Sequence, residues 1–441
     1  MRNSDPWKGY GDLLEVYSRQ PIVVFAGAGA TLADPTRSKE PYGVGTWFDL
    51  LDKIVDKVVE ANNDENLRRQ YPGQRKQLKD KPWELAEWIS RRVNRGPSGT
   101  VGTLTPFQRL IIQVVRGPTD AKGRHRNLPV TGTPERLIKQ LPSPFLLAAP
   151  TMNAIVAFCG RLVAITGARF DVGSYLGFRV EPNQRVRALV TPNFDPYLEA
   201  AASRKYKRDL LKPVAAVDSG AGNLRQIPVF HVHGYVPFRP LDQPGVHRGE
   251  QLGEGGLRRS MVLTKSDYER EQQSADAYSP TLGPQVHLMR HYPTLFIGFS
   301  FSDQWINKVL RTIHKEGRQF RDPGENTRRR FAIVNGKKLS KRRLDRLDDL
   351  GVVPVVVNSF SEVPAVLGSL YKDALERDLP GRQGRRLLSL EDQTRAPREA
   401  VSDKRKRRRH QYTAEQAWTI LHEMRDGKFP TTAQGIEHWL P

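Results

Sequence analysis

The sequence predicts an α/β protein built on a doubly wound parallel sheet, with a large helical insertion and a basic C-terminal tail. Three observations carry this. Short apolar runs rich in β-branched and aromatic residues recur at 22–26, 187–190, 229–232, 294–297, 331–334 and 352–357, as buried parallel strands require. Segments of helical period lie between several of them, the mark of crossover connections. Turn-forming and polar residues cluster directly after these strands, at the end of an open α/β sheet where ligands bind.

The chain begins with a helical pattern over 1–20, in which Leu13, Leu14 and Tyr17 share a face. The strand at 22–26 then runs into Gly27-Ala28-Gly29-Ala30-Thr31. Gly27 and Gly29 allow a tight turn and a close approach of backbone to ligand. A helix starting there would aim free N–H groups at an anion such as a pyrophosphate. A simple tight turn explains the same residues. After a Pro/Gly-rich loop at 34–45, Phe48, Leu51, Ile54, Val55 and Val58 mark one face of an amphipathic helix from Trp47 to about Ala61.

Residues 62–170 read as mainly helical, with helices at 83–93, 106–115, 134–141 and 151–162 and loops at 95–103 and 117–133. No run there is as strand-like as 22–26, so the region reads as an insertion or lid within a domain spanning 1–380. Further helices are expected at 196–203, 304–317, 340–350 and 363–377. The tail, 381–441, holds six consecutive cations at Lys404–Arg409 and a short helical pattern at 413–426. Such a charge block repels itself and solvates.

Lys and Arg total 70 against 48 Asp and Glu, a net charge of +22. This favours acidic partners, either nucleic acid or protein; a solvated basic surface with a basic tail is the alternative. The single cysteine, Cys159, excludes a disulfide framework and a cysteine-based metal cage within one chain. Its apolar neighbours suggest an inert buried thiol. The N-terminus lacks the apolar core of a signal peptide. The longest uncharged run, 143–160, is short and broken by Pro144, Pro150 and Asn153, which does not suit a bilayer span. A cytoplasmic location without membrane contact is expected.

Three clusters carry candidate chemistry. Asn193 and Asp195 lie between a strand and a helix, where they serve either a site or a helix cap. Strand alternation places His231 and His233 on one face. They lack the Cys or acidic companions of a metal site, whereas one His at a strand end beside Gly234 suits a general base. The turn Gly298–Asp303 offers N–H groups and hydroxyls to a phosphate or ribose, or else caps the next helix. Ser300 lacks the G-x-S-x-G context of a nucleophile.

Taken in order, GAGAT at 27–31, TPNFD at 191–195, HG at 233–234 and GFS at 298–300 resemble the sirtuin signature. They are more specifically similar to the bacterial sirtuin-like domain of antiphage defence systems, with Leu198, Glu199 and Asp303 in register. VLTKSDY at 262–268 and GVGTWFDLL at 43–51 resemble further family segments. The resemblance spans about residues 20–375. It implies a Rossmann-like fold and NAD as substrate, hydrolysed to ADP-ribose and nicotinamide in an NAD-depleting defence response. The four-cysteine zinc module of protein deacylases is missing, and Asp34–Gly45 stands in place of their PDFR segment. The resemblance therefore implies the zinc-less branch rather than deacylation.

By the same resemblance, Ala26, Gly27, Ala28, Gly29 and Thr31 would cradle the pyrophosphate. Asn193 would orient the ribose or the attacking water, Asp195 would bond the carboxamide, and His233 would contact ribose hydroxyls or deprotonate the nucleophile. Gly298, Ser300 and Asp303 would serve the adenosine side. Implied partners are further copies of the chain, a HerA-type ATPase or an Argonaute-like protein; independently of the resemblance, the cation block at 404–409 suits nucleic acid. The competing reading is a non-catalytic NAD- or ADP-ribose-binding module that docks nucleic acid or a partner through its basic surface.

Overall fold

The computed structural model describes residues 7–31, 46–94, 105–116, 150–164, 178–195, 197–206, 210–214, 226–236, 261–273, 282–319 and 330–378. The strands are β1 (Ile22–Ala26), β2 (Gly160–Ala164), β3 (Phe178–Pro182), β4 (Val186–Thr191), β5 (Leu211–Val214), β6 (Ile227–His231), β7 (Thr294–Ile297), β8 (Arg330–Asn335) and β9 (Val353–Val357). Seven of them form one sheet in the order β5-β6-β4-β1-β7-β8-β9, and every pairing in it is parallel. This is a Rossmann-like α/β fold. β1 lies at the centre, where apolar residues face a core on both sides. Ile22, Val24 and Ala26 join one hydrophobic core, and Val23 and Phe25 join the other.

The described helices are α1 (Tyr10–Arg19), α2 (Ala28–Thr31), α3 (Trp47–Asn62), α4 (Glu65–Gln77), α5 (Pro82–Val93), α6 (Pro106–Arg116), α7 (Pro150–Cys159), α8 (Tyr197–Tyr206), α9 (Lys265–Gln273), α10 (Leu282–His291), α11 (Gln304–Gln319), α12 (Lys341–Asp349) and α13 (Val363–Asp378). The first core takes residues from α1, α3 to α8 and α13. The second takes residues from α9 to α12. α1 packs against α13, and the N-terminal end is tied there by Trp7 Nε1 donating to Glu362 and Tyr10 Oη donating to Asp373.

The region expected to be mainly helical, 62–170, also holds a strand among its described residues. The helix expected over 151–162 ends at Cys159, and Gly160 begins β2, which pairs antiparallel with β3. Glycine ends the helix cheaply, and Leu162 and Val163 then suit a strand. β5 escapes sequence reading because it is four residues long and contains Pro213; it sits on the sheet edge, where proline is tolerated. α4 is hidden by its polar composition and internal Pro72. It is capped by Asp64 and joined to α3 by a two-bond Arg75–Asp52 ion pair of 2.7 and 2.9 Å. The expected helices at 134–141 and 413–426, the loops at 34–45, 95–103 and 117–133 and the Lys404–Arg409 block lie wholly or mainly outside the described residues.

Candidate active site at the strand ends

The chain leaves β1 through Gly27 and reaches α2, against the turn that leaves β7. Gly27 N donates to Ile297 O, and Gly29 N donates to Gly298 O, each at 2.9 Å. The space a Cβ would need is already filled: at Gly27 it would meet Gly298 O at 2.5 Å, and at Gly298 it would meet Ala30 N at 2.2 Å. Gly298 also has φ +65°, where a side chain is strained. The glycines thus permit two loops to interlock. Their Cβ positions face each other's backbone, so the reason sequence suggested for them, access to a ligand, is not the one the structure supplies at these atoms. Phe301, with φ +57°, is a second left-handed residue in the β7 turn, held by Asn307 Nδ2 donating to its carbonyl at 2.8 Å.

The strand carrying the two histidines ends at His231. Gly234 N then bonds His231 O at 3.1 Å across a turn, and Gly234 has φ +109°. Alternation therefore stops, and the two rings take different partners rather than the common face expected from the strand pattern. His233 Nε2 lies 3.0 Å from Asp303 Oδ2. β6 and β7 are separated by β4 and β1, so this contact joins two loops across the ends of the central strands. The neighbouring Val232 N donates to Thr191 O at 2.9 Å, which ties the same segment to the start of the TPNFD turn.

Asp303 is 7 % exposed and fully engaged. Oδ1 accepts the N–H groups of Trp305 and Ile306 at the start of α11, at 2.9 and 3.0 Å. Oδ2 accepts from Tyr268 Oη at 3.1 Å and lies 3.0 Å from His233 Nε2. Burial pushes the carboxyl pKa up, but His233, the Ile306 N–H and the Tyr268 hydroxyl together hold it below the usual value. Burial, then Asp303, drives the Tyr268 phenol well above its ordinary value. Tyr268 arrives there because Val262 N bonds His233 O at 2.9 Å and Thr264 and Asp267 exchange a reciprocal cap at the start of α9.

Aromatic rings close this side. Trp47 stacks on Tyr268 at 6.0 Å and lies 5.8 Å from His233, and Trp83 of α5 meets Tyr268 edge-on at 6.3 Å. Trp47 is placed by a capping box in which Thr46 and Asp49 bond each other's backbone N–H. Its indole Nε1 is buried without a hydrogen-bond partner.

The second ring, His231, is sealed, with no exposed side-chain surface. Nδ1 donates to Asn193 O at 2.7 Å, and Nε2 lies 2.8 Å from Glu199 Oε1 on α8. Burial disfavours its charge, yet Glu199, the Asn193 carbonyl and Asp195 outweigh that and raise its pKa. Asp195 Oδ1 accepts Tyr197 N at 3.3 Å, a cap on α8. Burial raises the Asp195 carboxyl to about 7, against the lowering effect of His231. Glu199 Oε2 is buried without a partner. No group of three metal-binding side chains converges among the described residues.

The β1, β4, β6 and β7 loops thus bring Gly27, Gly29, Asn193, Asp195, His233, Gly298 and Asp303 to the C-terminal end of the parallel strands. Ala26 is the fully buried last residue of β1. Ala28 and Thr31 bound α2. Ser300 is exposed and bonds Ser302 Oγ at 2.6 Å. The Asp303 carboxylate, expected on the adenosine side, has protein groups within hydrogen-bond distance at all four acceptor positions. Sequence reasoning passed over Tyr268, Glu199 and Trp47 as site residues and set His231 aside. The signal was present in the VLTKSDY, TPNFDPYLE and TWFDLL segments, but only tertiary contact gives those side chains roles.

A family model for the SIR2-like domain matches residues 187–355. The matched stretch runs from β4 into β9 and contains Asn193, Asp195, His231, His233, Tyr268, Gly298 and Asp303, and it begins after GAGAT. No curated protein matches the chain. Among the described residues no helix is long and apolar enough to cross a membrane. The segment that builds most of this site is thus similar to a SIR2-like domain, a domain type that uses NAD.

Proposed function

We propose that the site binds NAD and hydrolyses its nicotinamide–ribose bond, releasing nicotinamide and ADP-ribose. The observation that supports this reading best is the His233–Asp303 contact, which joins a buried imidazole after β6 to the loop after β7, whose Gly298 interlocks with the glycine turn of β1. Nicotinamide departs as a neutral group from a cationic substrate and needs no general acid. The site's work is to stabilise an oxocarbenium-like ribose, exclude bulk water and present one water. Asn193 would orient the ribose or that water, and His233 would accept its proton or bond a ribose hydroxyl. Residues 26–31 would face the pyrophosphate, and Gly298 and Ser300 would line the adenosine side. Asp195 would act from beneath, through the carboxamide or the loop it caps. Trp47, Tyr268 and Trp83 would shield the reacting face.

An unregulated enzyme of this kind would exhaust its cell's NAD. We therefore place the activity in the cytoplasm as the effector of an antiphage response, gated by self-assembly or by a partner such as a HerA-type ATPase or an Argonaute-like protein. The test is NAD consumption by the purified chain, alone and with DNA and an ATPase encoded beside it. Activity that His233→Ala and Asn193→Ala each abolish supports the reading; full turnover in both variants sinks it. The net charge of +22 favours a second reading, a binding module that docks nucleic acid. Salt-sensitive gel shifts without NAD turnover would select it.

A further inference from the structure

We infer that Asp303 and Tyr268 are positioning residues that fix the tautomer of His233, so that its Nε2 carries the proton and its Nδ1 presents a lone pair. The inference begins with donors and acceptors. His233 Nε2 has two neighbours, Asp303 Oδ2 at 3.0 Å and Tyr268 Oη at 3.3 Å. An ionised carboxylate only accepts. The Tyr268 proton is directed at that same Oδ2, 3.1 Å away, which leaves the phenol oxygen as an acceptor toward Nε2. Both neighbours therefore ask Nε2 to donate.

The other ring nitrogen is different. Nδ1 bonds no described residue, and it is not among the buried polar atoms sealed without a partner. The side chain retains 4 % exposure. Nδ1 is thus the one ring nitrogen open to a substrate hydroxyl or a water, and a lone pair there makes it an acceptor.

Asp303 is itself held in orientation. Oδ1 faces the N–H groups of Trp305 and Ile306, so the carboxyl plane cannot rotate without uncapping α11. That constraint yields a sharp test. In Asp303→Asn, the two helix N–H groups require the amide oxygen on their side, which turns the amide NH2 toward His233. Nε2 must then accept, and the proton moves to Nδ1, where it blocks the acceptor. Asparagine is also a good helix cap, so the fold is retained.

The experiment pairs ring-15N NMR of selectively labelled histidine, using His233→Ala for assignment, with steady-state kinetics. The proposal expects an Nε2–H, lone-pair Nδ1 signature in the native chain and the reverse in Asp303→Asn. It expects kcat for NAD to fall by about 10²- to 10⁴-fold in Asp303→Asn, with the Kd for NAD shifted less than about threefold. Tyr268→Phe should lower kcat by about three- to tenfold and shift the pH profile, because one donor to Asp303 is lost. A native His233 protonated on Nδ1, or an unchanged tautomer in Asp303→Asn, overturns the proposal. Only the kinetic arm rests on the NAD reading. A native chain that consumes no NAD would defeat that reading while the NMR arm still decides the tautomer.

Discussion

His231 Nδ1 lies 2.7 Å from the backbone carbonyl of Asn193, and the opposite ring nitrogen lies 2.8 Å from Glu199. One sealed imidazole thus pins the loop after β4 to the helix that follows it. His231→Ala would strand both partners in a buried setting, at a cost of about 3–5 kcal/mol. His231→Asn combined with Glu199→Gln restores a donor to the carbonyl and removes the unpaired charge, so its loss should stay below about 2 kcal/mol. Urea unfolding of both variants checks this. Equal losses would show that the carbonyl bond is not what holds the loop.

Two glycines in different settings predict opposite outcomes, a steep penalty at one position and a gain at the other. Gly298→Ala meets Ala30 N at 2.2 Å with φ +65°, so it should cost about 3 kcal/mol or more. Gly73 lies inside α4 with nothing within 4 Å of its absent Cβ. Gly73→Ala should stabilise by about 0.5–1 kcal/mol. Thermal melts of the two, side by side, separate a crowded turn from mere glycine entropy.

The cluster around Asp195 makes stability fall as pH rises toward 8. Asp195 titrates near 3.8 when unfolded and at about 7 when folded, so between those values the native state holds the extra proton and is favoured at the acidic end. One pKa unit is worth about 1.36 kcal/mol, which sets a ceiling on the order of 4 kcal/mol. His231 acts in the same sense: its raised pKa supplies stability below its unfolded value that is lost as pH rises through the folded one. Asp303, with a lowered pKa, opposes this only at more acidic pH, where its protonation removes stability. Unfolding free energies at pH 5.5 and 8 should therefore differ in the native chain. Asp195→Asn should stabilise at pH 8 and flatten the difference.

Trp47 Nε1 is a buried donor without a partner. Trp47→Phe keeps a ring against Tyr268 and His233 while deleting that N–H. The ligand-free variant should be about as stable as the native chain or more stable by roughly 1 kcal/mol, because the loss of packing volume is set against relief of an unsatisfied group. A loss above about 3 kcal/mol in a denaturant melt would mean that the indole nitrogen has a structural role.

Much of the sheet was legible because buried parallel strands leave dense apolar runs. The expected strands at 22–26 and 294–297 match to the residue, and those at 187–190, 331–334 and 352–357 differ from the observed ones by one residue at one or both ends. β5 and β3 were not, since an edge strand with Pro213 and the polar run Phe178–Pro182 carry no such density. At the site, spacing brought the right loops into view, but it could not say which oxygen faces which nitrogen. Asp303 is the clear case: position after Gly298 suggested ligand contact, whereas its carboxylate is consumed by a helix cap, a tyrosine and a histidine. Nor could alternation foresee that β6 ends at His231 and sends its two histidines to different acids.

The central position of β1 governs when this site can come into being. Ile22–Ala26 must pair with Val186–Val190 on one side and Thr294–Ile297 on the other, so the earliest strand waits for partners made far later in synthesis. Contacts of such long sequence separation form slowly and late. The glycine turn has no Gly298 to lock into, and His233 has no Asp303, until the ribosome has passed both. A nascent or prematurely ended chain therefore lacks the assembled site, and completion of the sheet is itself the step that creates it.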